Sequence, residues 1–326
     1  MAKEKEKRKS ITRSNTAKIV GYLKENNLER VRSAKDMNVI RGAITVAINK
    51  ISSYKVQFYI PEFLSNGDES KDYQALEELL PENTITVASY LKQNAEANFD
   101  AAITAASRVW VMAHIEEYAS RKGERVTSAP TLRGFKAGFA KGDKPFTTCA
   151  EFDVDIYVNN IEPEVVDEQE TGRLLVEGLI PKYNGSVDKV DFIAVAEDGV
   201  AAYVKANYHC GDTVNIRGDL VNIQERIVKE QDTSESFGRP SAPTYDTKFI
   251  KERRILGGTA HPIKQGEEGC IPTDFIKEGL VKREEQMVKN GERSADKGSS
   301  GGSQPQSSGA GFGSRAPSIG SEDMDF

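Results

Sequence analysis

Two stretches of this sequence carry the same succession of strand signals, and this internal repeat constrains the fold more than any other feature. Each copy begins with two short apolar runs separated by a turn, Ser52-Ser53 in the first copy and Asn184-Gly185 in the second. Each copy continues with a run of period-two alternation and closes with a basic run. The runs are residues 42–48, 54–60, 108–115 and 131–136 in the first copy, and residues 173–180, 189–195, 213–220 and 248–255 in the second. The repeat predicts two β domains in tandem.

Four segments outside these runs complete the prediction of secondary structure. Residues 16–30 have apolar side chains at helical spacing and predict an amphipathic helix. An insertion in the first copy predicts a helix at residues 72–80, and the alanine-rich residues 99–107 predict another helix that gives way to a strand. The alternating residues 152–158 predict a strand that could join either domain.

Composition indicates a protein that does not cross a membrane and that works in a reducing compartment. Of the 326 residues, 38% are hydrophobic and 29% are charged, and no apolar run reaches the roughly 20 residues of a membrane span. The charged N-terminus is not followed by the apolar core of a secretory signal, so a cytoplasmic location is expected. Cys149, Cys210 and Cys270 are scattered without zinc-ligand spacing, so we expect no metal site and no cofactor.

The C-terminal region changes to Gly, Ser, Pro and Gln from residue 294 onward, a composition typical of a disordered linker. It closes on an acidic peptide in which Glu322, Asp323 and Asp325 precede Phe326. The formal net charge of −6 argues against simple coating of nucleic acid, because affinity for phosphates comes from Lys and Arg. Either nucleic acid is not the ligand, or the acidic charge lies apart from the binding groove.

The second copy resembles the OB-fold barrel of bacterial single-stranded DNA-binding proteins. The resemblance rests on the run Cys-Gly-Asp-Thr-Val-Asn-Ile-Arg-Gly-Asp-Leu at residues 210–220 and on a last strand that runs into Gly257 and Gly258. The Gly/Ser/Pro/Gln linker with its acidic, Phe-ended peptide resembles the tail of the same proteins. Because this chain has two copies where the bacterial family has one barrel, it is more similar to the larger, phage-encoded type.

The resemblance implies a mainly β fold of two tandem OB-fold-like five-stranded barrels, with a helical insertion in the first and a disordered C-terminal tail. The implied segments are a basic N-terminal extension (1–35), OB-like domains at 36–145 and 146–265, a polar helical segment (266–293), and the linker and tail peptide (294–326). It implies a protein that binds and protects single-stranded DNA during replication, recombination and repair. The acidic tail would recruit replication and recombination proteins through Glu322, Asp323, Asp325 and Phe326.

Binding a single strand without sequence preference needs cations for the phosphates and aromatic faces for the bases. Strand alternation puts suitable side chains on the outer face of the predicted barrels. The predicted DNA-binding residues are Lys55, Tyr59, Trp110, Arg133 and Phe135 in the first copy and Lys189, Arg217, Arg253 and Arg254 in the second. In this prediction Arg133 and Phe135 share one face, opposite Leu132 and Lys136. Tyr59 and Phe135 are equally compatible with barrel core, and the cations with ordinary solvated surface.

Other classes of function have less support in the sequence. There is no P-loop, GxSxG or HExxH motif, and His114, His209 and His261 have no neighbours that suggest a triad or a metal site. We therefore expect a protein that is not an enzyme. The alternatives are a strand-annealing recombination mediator and an adaptor that binds only proteins, because a fold does not by itself determine a function.

Overall fold

The computed structural model describes residues 13–33, 36–140, 146–166, 168–228 and 245–296. Most of these residues lie in strands, so the prediction of a mainly β protein is confirmed. The strands are β1 (Asn15–Asn26), β2 (Glu29–Arg32), β3 (Asn38–Ala47), β4 (Ser53–Pro61), β5 (Arg108–Lys122), β6 (Arg125–Phe139), β7 (Cys149–Val166), β8 (Gln169–Pro181), β9 (Val187–Ala194), β10 (Thr213–Val228) and β11 (Tyr245–Gly258). The helices are α1 (Lys71–Glu77), α2 (Val87–Gln93), α3 (Phe99–Ala105), α4 (Val200–Asn207) and α5 (Thr273–Asp296), with short 3₁₀ turns at Pro81–Asn83 and Glu197–Gly199.

The eleven strands form one continuous sheet in which two cycles of strand pairing close on themselves. In the first cycle, β1 pairs with β3, β3 with β4, β4 with β6 in parallel, β6 with β5, and β5 with β1. In the second cycle, β7, β8, β9, β11 and β10 pair in the same order, again with one parallel pair, between β9 and β11. We call these cycles the first ring and the second ring.

The two rings are joined edge to edge by antiparallel pairing of β1 with β7, from Asn15 opposite Val154 to Val20 opposite Cys149. The strand predicted at residues 152–158 is the centre of β7. It closes the second ring and at the same time pairs with the first, so it joins both copies.

The helix predicted for residues 16–30 is wrong, because this segment forms β1 and β2. Ala17, Ile19, Gly21 and Leu23 all face the core, an alternation with period two. The period-two pattern is difficult to recognise in the sequence. Gly21 faces the core but has no apolar side chain, and Val20 faces outward although it is apolar. β1 is paired on both sides by β3, β5 and β7, and this pairing decides its conformation.

The helical insertion of the first copy lies between β4 and β5, as predicted. α1 begins after Ser70, whose side chain accepts a hydrogen bond from the Tyr73 amide, and it ends at Glu77, earlier than the predicted residue 80. α3 ends at Ala105 and β5 starts at Arg108, which confirms the predicted change from helix to strand near residue 107. Tyr73 and Leu76 of α1 are buried against the first ring.

Each ring has a core of alternating side chains from its strands, which includes Phe58 in the first ring and Phe192 in the second. In the first ring the Phe58 ring lies against Gly134 so closely that a Cβ there would meet its atoms at 2.2 to 2.7 Å. A side chain at Gly134 would therefore displace Phe58 from the core. Truncation of a buried Phe of this kind costs roughly 3–5 kcal/mol of stability.

Contacts beyond the β1–β7 pairing hold the rings together on two sides. On one side the Tyr54 hydroxyl donates to the Leu220 carbonyl oxygen (2.5 Å), and the Asn222 amide donates to the Ser53 carbonyl oxygen (2.8 Å). On the other side Glu117 of β5 accepts a hydrogen bond from the Lys189 amide of β9 (3.0 Å). α5 lies along the same side and packs Ile276 with Leu179 and Val187 of the second ring.

Candidate nucleic-acid interface

The outer face of the first ring begins at β4, where core and surface side chains alternate. Tyr54, Val56 and Phe58 are buried at 7%, 0% and 4% relative exposure, so Lys55 and Tyr59 lie on the opposite side. Lys55 is exposed and Tyr59 is half-buried. Both predicted residues of β4 therefore reach the outer face of the ring.

The next strand of this face is β6, which pairs in parallel with β4 and brings Arg133 opposite Gln57. Between Gly134 and Lys136 the register with β5 shifts by one residue, which makes Phe135 the extra residue of a β-bulge. Arg133 lies opposite His114 and Lys136 opposite Met112. The prediction that Lys136 lies on the opposite face from Arg133 is wrong, because the bulge reverses the alternation and brings both cations to the outer face.

Phe135 stacks on His114, with ring centroids 4.4 Å apart and ring planes at 21°. The position of His114 is set by Asn15 of β1: His114 Nδ1 lies 2.6 Å from the Asn15 carbonyl oxygen. The Asn15 side chain in turn bonds both the amide and the carbonyl oxygen of Ile115, at 2.9 and 3.0 Å. One face of Phe135 is thus supported by a side chain that is itself held by the backbone.

Trp110 lies on the outer side of β5, between the fully buried Val109 and Val111, as the alternation predicts. Its indole lies across Gly138 of β6, where a Cβ would meet three indole atoms at 3.1 to 3.2 Å. Met112 is the next outward residue on the strand, and Lys18 of β1 lies opposite it. The outer face therefore continues from β4 across β6 and β5 to β1.

Three of the four cations predicted in the second ring form ion pairs with carboxylates of the same ring. Lys189 forms an ion pair with Glu177, Arg217 with Asp153 (3.0 Å) and Arg254 with Glu252 (2.8 Å). These pairs connect neighbouring strands or neighbouring positions of one strand. Each of these carboxylates offsets part of the positive charge of the second ring.

Arg253 lies on the core-facing side of β11, since it has the same parity along the strand as the buried Ile255. Its guanidinium lies over the ring of Phe192, 5.9 Å from the centroid, and its Nε donates to the Asp191 carbonyl oxygen (2.5 Å). Burial lowers the pKa of Arg253, and the neighbouring carboxylate of Asp191 opposes that shift. Arg253 therefore lies on the core side of β11, whereas Arg254 lies on the outer side.

The structure gathers the five predicted residues of the first ring on one outer face and distributes the four of the second ring among internal partners. Sequence reasoning missed four residues of this face. Lys18 was missed because its segment was assigned to a helix, Lys136 because of the bulge, and His114 because it was considered only as a catalytic or metal-binding residue. The fourth is Arg41, which lies directly opposite Tyr59 and pairs with Glu29 at 2.9 Å. Only the strand register places Arg41 beside Tyr59.

The predicted tail residues Glu322, Asp323, Asp325 and Phe326 lie outside the described residues. Within residues 13–33, 36–140, 146–166, 168–228 and 245–296, no three His, Cys, Asp or Glu side chains form a group that could hold a metal ion. No helix in the same part of the chain is long and apolar enough to span a bilayer.

The geometry defines a two-ring β protein with one outer face that combines aromatic and cationic side chains. The model of the family described as YorF matches residues 13–293, and the chain therefore belongs to the YorF family. No curated protein shows significant sequence similarity to it.

Two solved structures of one protein are similar to this chain. The wild-type single-stranded DNA binding protein from Thermus aquaticus has a TM-score of 0.44 and 11% sequence identity, and the match covers 79% of this chain and 98% of that chain. A deletion mutant of the same protein has a TM-score of 0.43 and 10% identity with the same coverage. A likeness of this size supports no argument about what the present chain binds.

Proposed function

We propose that this protein binds single-stranded DNA without strong sequence specificity, on the outer face of the first ring, and protects the strand during DNA replication and recombination. The observation that supports the proposal is the convergence of Tyr59, Trp110 and Phe135 with Lys55 and Arg133 on three adjacent strands. Neighbouring strands lie about 4.8 Å apart, so these side chains share a surface roughly 10 Å wide.

The chemistry of this surface suits a flexible, charged strand of unpaired bases. Each base stacked on an aromatic ring contributes roughly 1–3 kcal/mol, and stacking tolerates any base because every base has a π-face. Lys55, Arg133 and Lys136 supply charge for the phosphates between the bases. His114 already holds the Phe135 ring on one side. The Phe135 side chain therefore loses little conformational entropy when a base stacks on its other side.

We further propose that the two rings are OB-type barrels. Support comes from the pairing order, in which the third strand of each ring pairs in parallel with the fifth and the first strand closes the cycle with the fourth. The insertion in the first ring and α4 in the second both lie between the third and fourth strands, where an OB barrel carries its helix.

The acidic tail has a role in this proposal that explains the net charge of −6. A mobile anionic peptide can occupy a basic face when DNA is absent and leave it when DNA binds. Phe326 would then enter an apolar pocket on a replication or recombination protein, with Glu322, Asp323 and Asp325 meeting basic residues at its rim. We place this non-enzymatic activity in the cytoplasm, that of the host cell if the protein is phage-encoded.

The decisive experiment is a titration of the full-length protein with single-stranded oligo(dT), duplex DNA and RNA. We expect saturable binding of oligo(dT) with quenching of the fluorescence of Trp110, the single tryptophan, and with affinity that falls as salt rises. Phe135→Ala should weaken binding by about 1–3 kcal/mol, the value of one stacked base. Tyr183→Ala, a change to a highly exposed tyrosine of the second ring, is the matched control and should leave affinity unchanged.

The same titration distinguishes the alternatives. A strand-annealing mediator would bind the oligonucleotide and also accelerate pairing of two complementary strands. An adaptor that binds only proteins would give no saturable response to any single strand, and this result would refute the proposal.

The tail is tested by deleting residues 322–326. DNA affinity at low salt should hold or improve, because a competitor for the basic face is lost, while capture of replication proteins should disappear. A loss of DNA affinity in the deletion variant would contradict the proposed role of the tail.

A further inference from the structure

The two rings can be compared position by position, because their pairing and their cores correspond. β4 and β9 are the third strands of their rings, and each pairs in parallel with the last strand. The parallel pairs align Gln57 and Phe58, which lie opposite Arg133 and Gly134, with Ile193 and Ala194, which lie opposite Arg254 and Ile255. The bulge that follows on the last strand, at Phe135 in the first ring and at Leu256 in the second, gives the same alignment. Gln57 therefore corresponds to Ile193, and Lys55 corresponds to Asp191.

Along the third strand, the outward residues Lys55 and Gln57 of the first ring correspond to Asp191 and Ile193 of the second. The second ring thus replaces the lysine with a carboxylate, and it replaces the amide with an isoleucine that is only 9% exposed. Tyr59 has no counterpart within β9, which ends at Ala194. No outward aromatic residue of β9 is therefore available for a base to stack on.

The second strand also gains a carboxylate in the second ring. Opposite Lys55 the first ring has Thr45, whereas opposite Asp191 the second has Glu177. On the last strand Arg133 and Arg254 correspond to each other, because they lie beside Gln57 and Ile193.

At these four matched positions the first ring has two cations and no carboxylate, and the second has one cation and two carboxylates. The remaining cation, Arg254, is held in an ion pair with Glu252 (2.8 Å). Burial acts to raise the pKa of Glu252, but hydrogen bonds from Arg254 and Arg173 lower it below its ordinary value overall, so this carboxylate is ionised at neutral pH. Such a surface repels phosphates.

The corresponding face of the second ring is also partly covered by the rest of the chain. Glu117 of the first ring accepts the Lys189 amide hydrogen bond. Lys189 and Asp191 line a cleft with Arg121 of the β5–β6 hairpin and Arg283 of α5. A strand approaching Lys189 would meet this hairpin and this helix.

We propose that the single strand is bound by the first ring alone, and that the second ring supports it without a DNA-binding face of its own. This inference rests on the proposed function and assigns that function to one of two rings with the same pairing. It predicts one short oligonucleotide per chain, although the chain contains the ring twice.

The test compares two variants of the full-length protein, each of which removes an outward lysine from the third strand of one ring. Lys55→Ala should weaken oligo(dT) binding several-fold and lower the salt slope by about 0.7, the value for one phosphate contact to a single strand. Lys189→Ala should change affinity less than twofold and leave the slope unchanged. The slope separates a lost phosphate contact from a general loss of structure.

A reciprocal exchange tests the matched positions directly. Lys55→Asp with Gln57→Ile installs the residues of the second ring in the first, and binding should fall by more than tenfold while the melting curve stays cooperative. Asp191→Lys with Ile193→Gln is the opposite exchange, and affinity at the first site should be unaffected by it.

The outcomes separate the two hypotheses. Absence of any oligo(dT) binding by the wild-type protein refutes the proposed function itself. Binding of two short oligonucleotides per chain, or a loss of affinity and of salt slope in Lys189→Ala equal to that in Lys55→Ala, refutes the assignment to one ring while leaving single-strand binding intact.

Discussion

Two carboxyl groups lie where the rings meet on the α5 side, and their surroundings affect them in opposite directions. Asp188 of β9 is buried, and burial raises its pKa to about 7 even though Lys182 lies 3.3 Å away. Burial would also raise the pKa of Glu117, but hydrogen bonds from Arg283, Ser128 and the Lys189 amide lower it below its ordinary value. The difference lies in the number of donors that each carboxylate receives.

Asp188 gives a pH dependence of known sign. Its folded pKa is above its ordinary value of 3.8, so the native state holds a proton that the unfolded chain releases, and stability falls as pH rises from about 4 to about 7. Asp188→Asn removes this dependence. We expect the melting temperature of the variant, relative to wild type, to rise between pH 4 and pH 8 in thermal unfolding followed by circular dichroism.

The control for Asp188→Asn is Glu96→Gln, which changes an exposed carboxylate. Its melting temperature should follow that of the wild type across the same range. A constant difference between Asp188→Asn and wild type at all pH values would show that Asp188 has no raised pKa in the folded protein.

Glu117 has four hydrogen bonds to its carboxylate: two from Arg283 (2.5 and 2.7 Å), one from Ser128 (2.5 Å) and one from the Lys189 amide (3.0 Å). Glu117→Ala leaves the guanidinium of Arg283, only 13% exposed, without this partner. We expect a loss of about 3–5 kcal/mol in the free energy of unfolding, the cost of breaking a buried pair, measured by urea denaturation.

Glu284→Ala is the matched control for Glu117→Ala. Its ion pair with Arg121 (2.9 Å) lies at the surface, with both side chains more than 40% exposed, and its contact with Arg283 is longer (3.7 Å). Surface pairs of this kind contribute at most about 1 kcal/mol. Equal losses in the two variants would contradict the role of Glu117 as the central contact between β5, β9 and α5. The stabilisation from Glu117 is present above its ordinary pKa of 4.5 and is lost as pH falls through the lower folded value.

At the scale of secondary-structure elements, α5 ties the second ring to the β5–β6 hairpin of the first. Ile276 is buried with Leu179 and Val187, and Met287 is buried further along the helix. At Gly291 the helix approaches the Arg121 backbone so closely that there is no room for a Cβ. α5 therefore contacts both rings.

We expect Ile276→Ala to lower the free energy of unfolding by roughly 2–5 kcal/mol, because it leaves a cavity between α5 and the second ring. Val281→Ala, at a position that is 60% exposed on the same helix, should change it by no more than about 0.5 kcal/mol. Chemical denaturation of both variants measures the difference. Similar values for the two would indicate that α5 is not packed on the ring in solution.

The elements also show where sequence patterns were sufficient. Alternation located the strands that contain Val56, Val109, Val190 and Val214, because each has a polar or half-buried neighbour on either side. Alternation did not predict β1, because its outward residue Val20 is apolar and its inward residue Gly21 is not. The sequence also did not predict the bulge at Phe135, because a bulge depends on the pairing of two strands and not on the residues of one strand.

At the scale of the whole molecule, the β1–β7 pairing and the contacts on both sides make the rings one structural unit. We expect thermal unfolding to show a single transition. Fluorescence of Trp110 reports on the first ring, and far-ultraviolet circular dichroism reports on both, so the two curves should coincide. Two separate transitions, with Trp110 following only one, would show that the rings unfold independently.

The sequence alone determined that the protein is mainly β, that its strand pattern occurs twice, and that Lys55, Tyr59 and Trp110 face outward, because alternation along a strand is a local property. Only the tertiary structure decided what those side chains meet. Register brought Arg133 beside Gln57 and Arg41 beside Tyr59, and it paired Lys189, Arg217 and Arg254 with carboxylates that are distant or inconspicuous in sequence. Whether a cation is available to a phosphate depends on these neighbours, and the neighbours are set by strand pairing between residues far apart in the chain.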